Sequence, residues 1–208
     1  ISNKDALNFT KTSRPLGFIK NKRAVKNSLM LYDDNTIFAL MSSDFQSSKD
    51  NAPWYMKGYL VNDLTITDAA ITAYPLFVGG LSTTNVKVGL GVDGSNLYIE
   101  AKAFDSTPVT AAAGSQHGDG VYLYIDAANL SLLDVDTGIS KFWISDEGDV
   151  KRWDGKEGEW SPVASSGITA TSTKEESGYT LSITVPKASL VNFNSKQIRF
   201  GVGLSDYT

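Results

Sequence analysis

Residues 85–104 read NVKVGLGVDGSNLYIEAKAF, and this stretch predicts the fold more clearly than any other part of the chain. Apolar residues alternate with polar or small residues on both sides of Asp93-Gly94, which is the period of a β-strand with one buried face. An Asp-Gly pair between two alternating runs is also a strong hairpin signal. The stretch therefore predicts two antiparallel strands, with the alternate residues from Val86 to Val92 and from Leu97 to Ala103 in the core.

The same alternation recurs in short runs along the rest of the chain. Further strands are predicted at Val121–Ile125, Lys141–Ser145, Val150–Trp153, Ile168–Ser172, Tyr179–Val185 and Ile198–Leu204. About ten short strands between Gly, Asp and Asn turns, with almost no helical periodicity, indicate an all-β, jelly-roll-like antiparallel β-sandwich. A chain of 208 residues is long enough for one such domain. We therefore expect a single domain over residues 1–208, with 1–58 the least legible part.

The composition excludes several classes of function. A net charge of −4 does not point to a nucleic-acid partner. No apolar run approaches the roughly 20 residues that a membrane span needs. The chain has no cysteine and a single histidine, His117, so catalysis through a thiol or an imidazole would depend on one loop residue. Because the chain begins at Ile1, we expect a processed protein or a piece of a larger one.

Several short motifs follow one another from the centre of the chain onward. They are Val92–Ile99, Phe104–Pro108, Gly118–Asp126, Gly178–Pro186 and Ile198–Asp206. In their order and spacing they resemble family-nine carbohydrate-binding modules and related DOMON-like sandwiches. The resemblance implies a module that binds carbohydrate and often holds structural Ca²⁺.

A saccharide site needs flat aromatic rings beside polar groups that can bond to hydroxyls. The turn over residues 153–160 offers Trp153 and Trp160, with Arg152 next to them, in a stretch too polar to be core. Exposed indoles on a loop predict a binding surface. The other predicted carbohydrate-binding residues are Trp54 and Tyr55, as a second wall, and Tyr98, Glu100 and Tyr122, on outward strand faces. We expect the rings to stack on a sugar while Arg152 and Glu100 bond to its hydroxyls.

Acidic turns are the candidates for the implied Ca²⁺. Asp134 and Asp136 alternate ahead of Gly138, and calcium prefers clustered carboxylate and carbonyl oxygens. An acidic turn without an ion explains the same residues, so this alternative stays open.

Two other functions also stay open. One is a polysaccharide-active enzyme with paired carboxylates, for which Glu100, Asp105, Asp119 and Asp126 are candidates. The other is a structural or adhesive surface domain without a sugar site. We expect binding of an oligo- or polysaccharide without cleavage, in an extracellular or cell-surface module tethered to other domains of a polysaccharide-active protein.

Overall fold

The structure is a computed structural model in which part of the chain is described. Side chains are described for residues 84–113, 115–130, 135–194 and 197–207, and for Ile71, Tyr74, Leu76 and Val78. The backbone is also described for the strands at 8–10, 27–29, 36–41, 54–62 and 76–79.

The described part of the chain forms fourteen β-strands and one short 3₁₀ turn at Lys187–Ser189. The strands are β1 (Asn8–Thr10), β2 (Asn27–Leu29), β3 (Thr36–Met41), β4 (Trp54–Asn62), β5 (Leu76–Gly79), β6 (Asn85–Val92), β7 (Asn96–Phe104), β8 (Gly120–Asp126), β9 (Ile139–Ser145), β10 (Val150–Lys156), β11 (Glu159–Val163), β12 (Thr169–Glu175), β13 (Gly178–Pro186) and β14 (Gln197–Ser205).

The strands form two sheets in which every recorded pairing is antiparallel. The larger sheet has nine strands in the order β11-β10-β9-β8-β14-β4-β3-β2, with β1 also paired to β4. The smaller sheet has five strands in the order β12-β13-β7-β6-β5. The predicted all-β antiparallel sandwich is therefore confirmed.

The core lies between the two sheets and draws one face from each. The smaller sheet contributes Val88, Ile99 and Leu181, and the larger sheet contributes Leu123, Phe142 and Phe200, none of them more than 1% exposed. Full burial of such a side chain contributes about 1.5–3 kcal/mol. These are the residues that period-two alternation assigns to the inner faces.

The β6–β7 hairpin forms as the sequence predicts, with Val92 opposite Leu97. Its turn is held by a side chain, because Asp93 Oδ1 accepts hydrogen bonds from the amides of Ser95 at 2.7 Å and Asn96 at 2.6 Å. Together with a hydrogen bond from the Tyr98 hydroxyl, which is the largest cause, these amides lower the pKa of Asp93 to about 2. The aspartate of the Asp-Gly pair thus stabilises the turn.

The β10–β11 hairpin differs from the sequence expectation of a loop over residues 153–160. Lys156 pairs with Glu159, so only Glu157 and Gly158 form the turn. Both have positive φ, 50° and 82°. Positive φ at both central residues is the geometry of a type I′ hairpin. Trp153 and Trp160 consequently lie on paired strands, where the backbone fixes their positions.

Candidate functional site

Two indoles and a lysine lie together on the outer face of the nine-stranded sheet. Trp153 on β10 is opposite Lys141 on β9, and Trp160 on β11 is a diagonal neighbour of Trp153. Lys141 Nζ is 4.4 Å from the centre of the Trp153 ring and 5.1 Å from the centre of the Trp160 ring. Both indoles are half-buried. We call these three residues the indole pair and its lysine.

The environment of Lys141 is largely apolar. Burial disfavours its ammonium ion and lowers the pKa of Lys141 to about 8. The two ring faces offset part of this effect, because an ammonium above an indole face is attracted by the ring quadrupole. Lys141 is therefore a donor that is held between aromatic rings rather than dispersed in solvent.

Further aromatic side chains continue this face toward the middle of the sheet. The rings of Tyr124 and Trp160 are 6.1 Å apart, and those of Tyr122 and Tyr124 are nearly parallel at 6.3 Å. Tyr122 is 5% exposed and Tyr124 is 2% exposed. The predicted sugar-binding residue Tyr122 thus lies in a buried part of this face, whereas the indole pair lies at its rim.

A close approach of the backbone borders the indole pair on one side. A β-carbon added to Gly155 would lie 2.2 Å from the carbonyl oxygen of Asp136, and the amide of Gly158 donates to the carbonyl of Val135 at 2.7 Å. Only glycine allows the chain at 135–136 to pass so close to β10. This contact positions residues 135–136 beside Trp160, which is opposite Gly155.

Arg152 lies on the opposite face of β10 from Trp153, since it pairs with the core residue Phe142. It is 7% exposed, and its guanidinium binds Asp154 with two hydrogen bonds of 2.9 Å each. It also donates to the carbonyl of Ser189 at 2.7 Å and lies over the Phe142 ring. A guanidinium engaged in this way stabilises the sandwich edge and is not available to a ligand.

Tyr98 and Glu100 lie on the outer face of the other sheet. Tyr98 donates from its hydroxyl to Asp93 Oδ2 at 2.7 Å, and Glu100 accepts a short hydrogen bond from the Tyr74 hydroxyl. Lys102 Nζ is 3.5 Å from Glu100 Oε1. Because the hydrophobic core separates the two outer faces, these residues and the indole pair do not form one site.

Trp54 and Tyr55 begin β4 and pair with Ser205 and Leu204 of β14. Their side chains lie outside the described part of the structure. Four strand spacings separate β4 from β10, about 19 Å across the sheet. The structure therefore does not bring these residues next to Trp153 as a second wall.

A cluster of three acids lies at one end of the sandwich. Asp105, Asp119 and Asp206 are 4%, 1% and 9% exposed, and one carboxylate oxygen of each lies within 4.8 Å of the others. The pKa of Asp119 is raised to about 7, mainly because the carboxyl group is buried. Burial also raises the pKa of Asp206. We call these residues the acid cluster.

Of the two predicted metal ligands, the structure describes Asp136. Asp134 lies outside the described residues, and Asp136 is exposed with its Oδ1 accepting a hydrogen bond from the amide of Thr137 at 2.7 Å. Among the residues that the structure describes, the acid cluster is the group of carboxylates whose spacing suits a metal ion.

The sequence analysis did not identify Lys141 as a site residue, and it did not predict that Asp105, Asp119 and Asp206 lie together. Lys141 stands between the apolar residues Ile139 and Trp143 on the outward side of β9, and this is the signal that could have found it. Asp105, Asp119 and Asp206 directly follow or precede strands β7, β8 and β14. Their convergence requires the strand pairing, which the sequence does not state.

No family model matches the chain, and no curated protein matches it. One similar solved structure is a family 9 carbohydrate-binding module from Caldicellulosiruptor kristjanssonii in complex with cellotriose. It is 10% identical, with a TM-score of 0.45, over 66% of this chain and 78% of that chain. This similarity is too low to carry an inference about the ligand of this chain.

None of the described residues belongs to a helix that is long and apolar enough to cross a membrane.

Proposed function

We propose that this chain binds an oligo- or polysaccharide, without cleaving it, through the indole pair and its lysine. The observation that carries the proposal is that Trp153 and Trp160 are half-buried on adjacent strands with the Lys141 ammonium within 4.4 Å and 5.1 Å of their ring centres. Rings held at a rim, partly open to solvent and next to a polar donor, are what a sugar surface requires.

Each part of this surface has a task in sugar binding. The apolar C–H face of a pyranose stacks on an indole, and the ammonium of Lys141 donates to hydroxyl or ring oxygens. Because β10 and β11 are paired up to a two-residue turn, the rings lose little additional freedom when a ligand binds. The segment at 135–136 limits the surface on one side.

We further propose that the chain is an extracellular or cell-surface accessory module, tethered to other domains of a polysaccharide-active protein. The motif resemblance supports this context, and the surface supports the ligand class. Polysaccharide outside the cell would be the partner.

No observation in the described residues favours the enzymatic alternative. Asp105 and Asp119 are close together, but they are 4% and 1% exposed, so a glycosidic bond does not reach between them. Glu100 lies on the opposite face of the sandwich and is bonded to Tyr74 and Lys102.

A glycan array followed by calorimetry on the best ligand tests the proposal. Trp153→Ala and Trp160→Ala are each expected to weaken binding by about 10- to 100-fold, the effect of losing roughly 1.4–2.7 kcal/mol of stacking. Trp153→Phe retains an aromatic ring and should bind more tightly than Trp153→Ala.

Tyr98→Ala is the matched control, because it removes an aromatic ring from the outer face of the other sheet. It is expected to leave the affinity unchanged. If Tyr98→Ala abolishes binding and the tryptophan variants do not, the site lies on the five-stranded sheet. No binding to any glycan would favour a structural or adhesive domain, and release of reducing ends from a bound polysaccharide would overturn the non-catalytic assignment.

A further inference from the structure

The charged residues on the outer face of β8 to β11 are mainly cations. The structure describes all four strands, and alternation with the core positions assigns Asp126 on β8, Lys141 on β9 and Lys151 on β10 to this face. Asp126 forms an ion pair with the neighbouring strand β14, in which Arg199 Nε is 3.8 Å from Asp126 Oδ2. The two lysines therefore give this face a positive charge, although the chain as a whole has a net charge of −4.

Both lysines lie over aromatic rings of the same face. Lys141 Nζ is 4.4 Å and 5.1 Å from the ring centres of the indole pair, and Lys151 Nζ is 5.7 Å from the ring centre of Trp143. Lys151 also donates a hydrogen bond to the carbonyl of Ser115 at 3.0 Å. Lys151 is thus engaged with the protein, whereas Lys141 is the cation next to the rings that would stack on a sugar.

Lys141 has lost part of its hydration without gaining an anionic partner. The side chain is half-buried, and burial is the cause that lowers its pKa. No carboxylate of the described residues forms an ion pair with it. Asp136, the acid of the segment beside Trp160, instead accepts a hydrogen bond from the amide of Thr137 through Oδ1. Because the ring faces compensate the lost hydration only in part, the ammonium favours a ligand that brings a negative charge.

A saccharide with an anionic substituent matches both parts of this surface. A pyranose with a carboxylate or a sulfate group keeps an apolar C–H face, which can stack on an indole. The charged group lies at the edge of the sugar ring, where a cation beside the indole can pair with it. An ammonium is a compact charge without the planar fork of a guanidinium, so it accepts either group. The surface therefore defines the charge of the ligand and not the identity of its anionic group.

We infer that the indole pair and its lysine bind an anionic saccharide, whose charged substituent pairs with the Lys141 ammonium while its ring stacks on an indole. This inference rests on the proposed function and adds the charge of the ligand to it. A hydrogen bond between a cation and an anion at such a site contributes about a 10- to 100-fold gain in affinity. Lys151 adds positive potential to the same face, which favours the approach of acidic chains over neutral ones.

The rival explanation is a neutral saccharide, with Lys141 donating hydrogen bonds to hydroxyl oxygens. Both explanations predict that the tryptophan variants lose affinity, so those variants do not separate them. The two explanations differ in how the affinity responds to the charge of the ligand, to the charge of residue 141 and to salt.

The test measures the affinity of the whole chain for three matched pairs of oligosaccharides by calorimetry. The pairs are oligogalacturonate and its methyl ester, oligoglucuronate and its carboxyl-reduced form, and a sulfated galactan oligosaccharide and its desulfated form. In at least one pair, the anionic member is expected to bind about 10- to 100-fold more tightly than the neutral member. The pair that shows this preference identifies the anionic group as a carboxylate or a sulfate. Raising NaCl from about 50 mM to about 500 mM should weaken binding of that anionic member several-fold and leave binding of the neutral member unchanged.

Variants of residue 141 test the origin of the preference. Lys141→Gln should lose the preference for the anionic member, since no cation remains beside the indoles. Lys141→Arg keeps the charge and should retain most of the preference. Lys102→Gln is the matched control, because it removes the same charge from the outer face of the five-stranded sheet, where Lys102 is exposed beside Glu100. It should keep the full preference.

Neutral members that bind as tightly as the anionic members in every pair would overturn the inference, while the proposed function would stand. An unchanged preference in Lys141→Gln would also overturn it, because the anionic group would then bind elsewhere. If Lys141→Gln does not fold, the salt dependence of the wild type decides: an affinity for the anionic member that does not change with NaCl contradicts a charge pair. No binding to either member of any pair overturns the proposed function and the inference with it.

Discussion

The two outer faces of this sandwich differ in kind, although both come from strands with the same alternating sequence. On the nine-stranded sheet, every position of β8 is buried, including the outward Tyr122 and Tyr124. On the five-stranded sheet, β12 has no fully buried position, and Thr169, Thr171 and Thr173 are exposed. The larger sheet is therefore packed on both faces at β8, whereas the smaller sheet has a solvated outer face at its edge strand β12.

This difference in burial determines where a ligand can bind. An aromatic face stabilises the fold where its rings are buried, and it can serve recognition only where the rings reach solvent. On the larger sheet this change falls between Tyr124, which is 2% exposed, and Trp160, whose ring centre is 6.1 Å from that of Tyr124. The half-buried indole pair is therefore the part of the face that can meet a saccharide.

The largest effect is expected from one tyrosine on each face. Tyr124→Ala should lower the free energy of unfolding by about 3–5 kcal/mol, because it leaves a cavity beside Tyr122 and Trp160. Tyr98→Ala should lower it far less, since the ring is half-buried and loses mainly its hydrogen bond to Asp93. Urea denaturation of the two variants measures both values. Equal losses of stability would show that Tyr124 and Tyr98 are packed alike, which contradicts the difference between the two faces.

A smaller effect is expected from Lys141. Its pKa is lowered from 10.5 to about 8 in the folded chain, so between these values the unfolded state binds more protons than the folded state. The free energy of unfolding therefore rises with pH from about 8 to 10.5. Relative to Lys141→Met, the wild type should gain about 1–2 kcal/mol over this window, after allowance for partial exposure.

Urea denaturation of the wild type and Lys141→Met at pH 7.5 and pH 10 isolates this contribution, since the other titrating groups are common to both proteins. A difference that does not change with pH would place Lys141 in solvent rather than between the two indoles.

The smallest effect is expected on the solvated face. Thr171→Val and Thr173→Val should change the free energy of unfolding by less than about 0.5 kcal/mol, because both residues are exposed. Neither should alter the affinity for a glycan that the indole pair binds. A loss of affinity in these variants would show that the glycan binds to the five-stranded sheet.

The sequence predicts the strands well where alternation and turn chemistry agree. In the β6–β7 hairpin, the alternating residues and Asp93 both favour the observed structure. In the β10–β11 hairpin the alternation is weak, and Glu157-Gly158 is a poorer type I′ signal than Asn-Gly. The sequence therefore predicts a turn up to Trp160, where the structure already has the start of β11.

The candidate sites are harder to predict because they depend on which strands are neighbours. Tyr98 and Tyr122 have the same outward position in their strands, yet they lie on opposite sides of the sandwich. Asp105 and Asp206 are far apart in the sequence and close in space. Alternation assigns a residue to one face of its strand, but it does not say which sheet the strand joins.

The two-residue turn at Glu157 and Gly158 has one further consequence. Because the turn is this short, the two strands are paired up to their ends. The strand pairing therefore fixes the diagonal spacing of Trp153 and Trp160 at about 7–8 Å between their backbones. A ligand that contacts both indoles has to match this fixed spacing. The surface would therefore select among sugars by their dimensions, without adjusting its own shape.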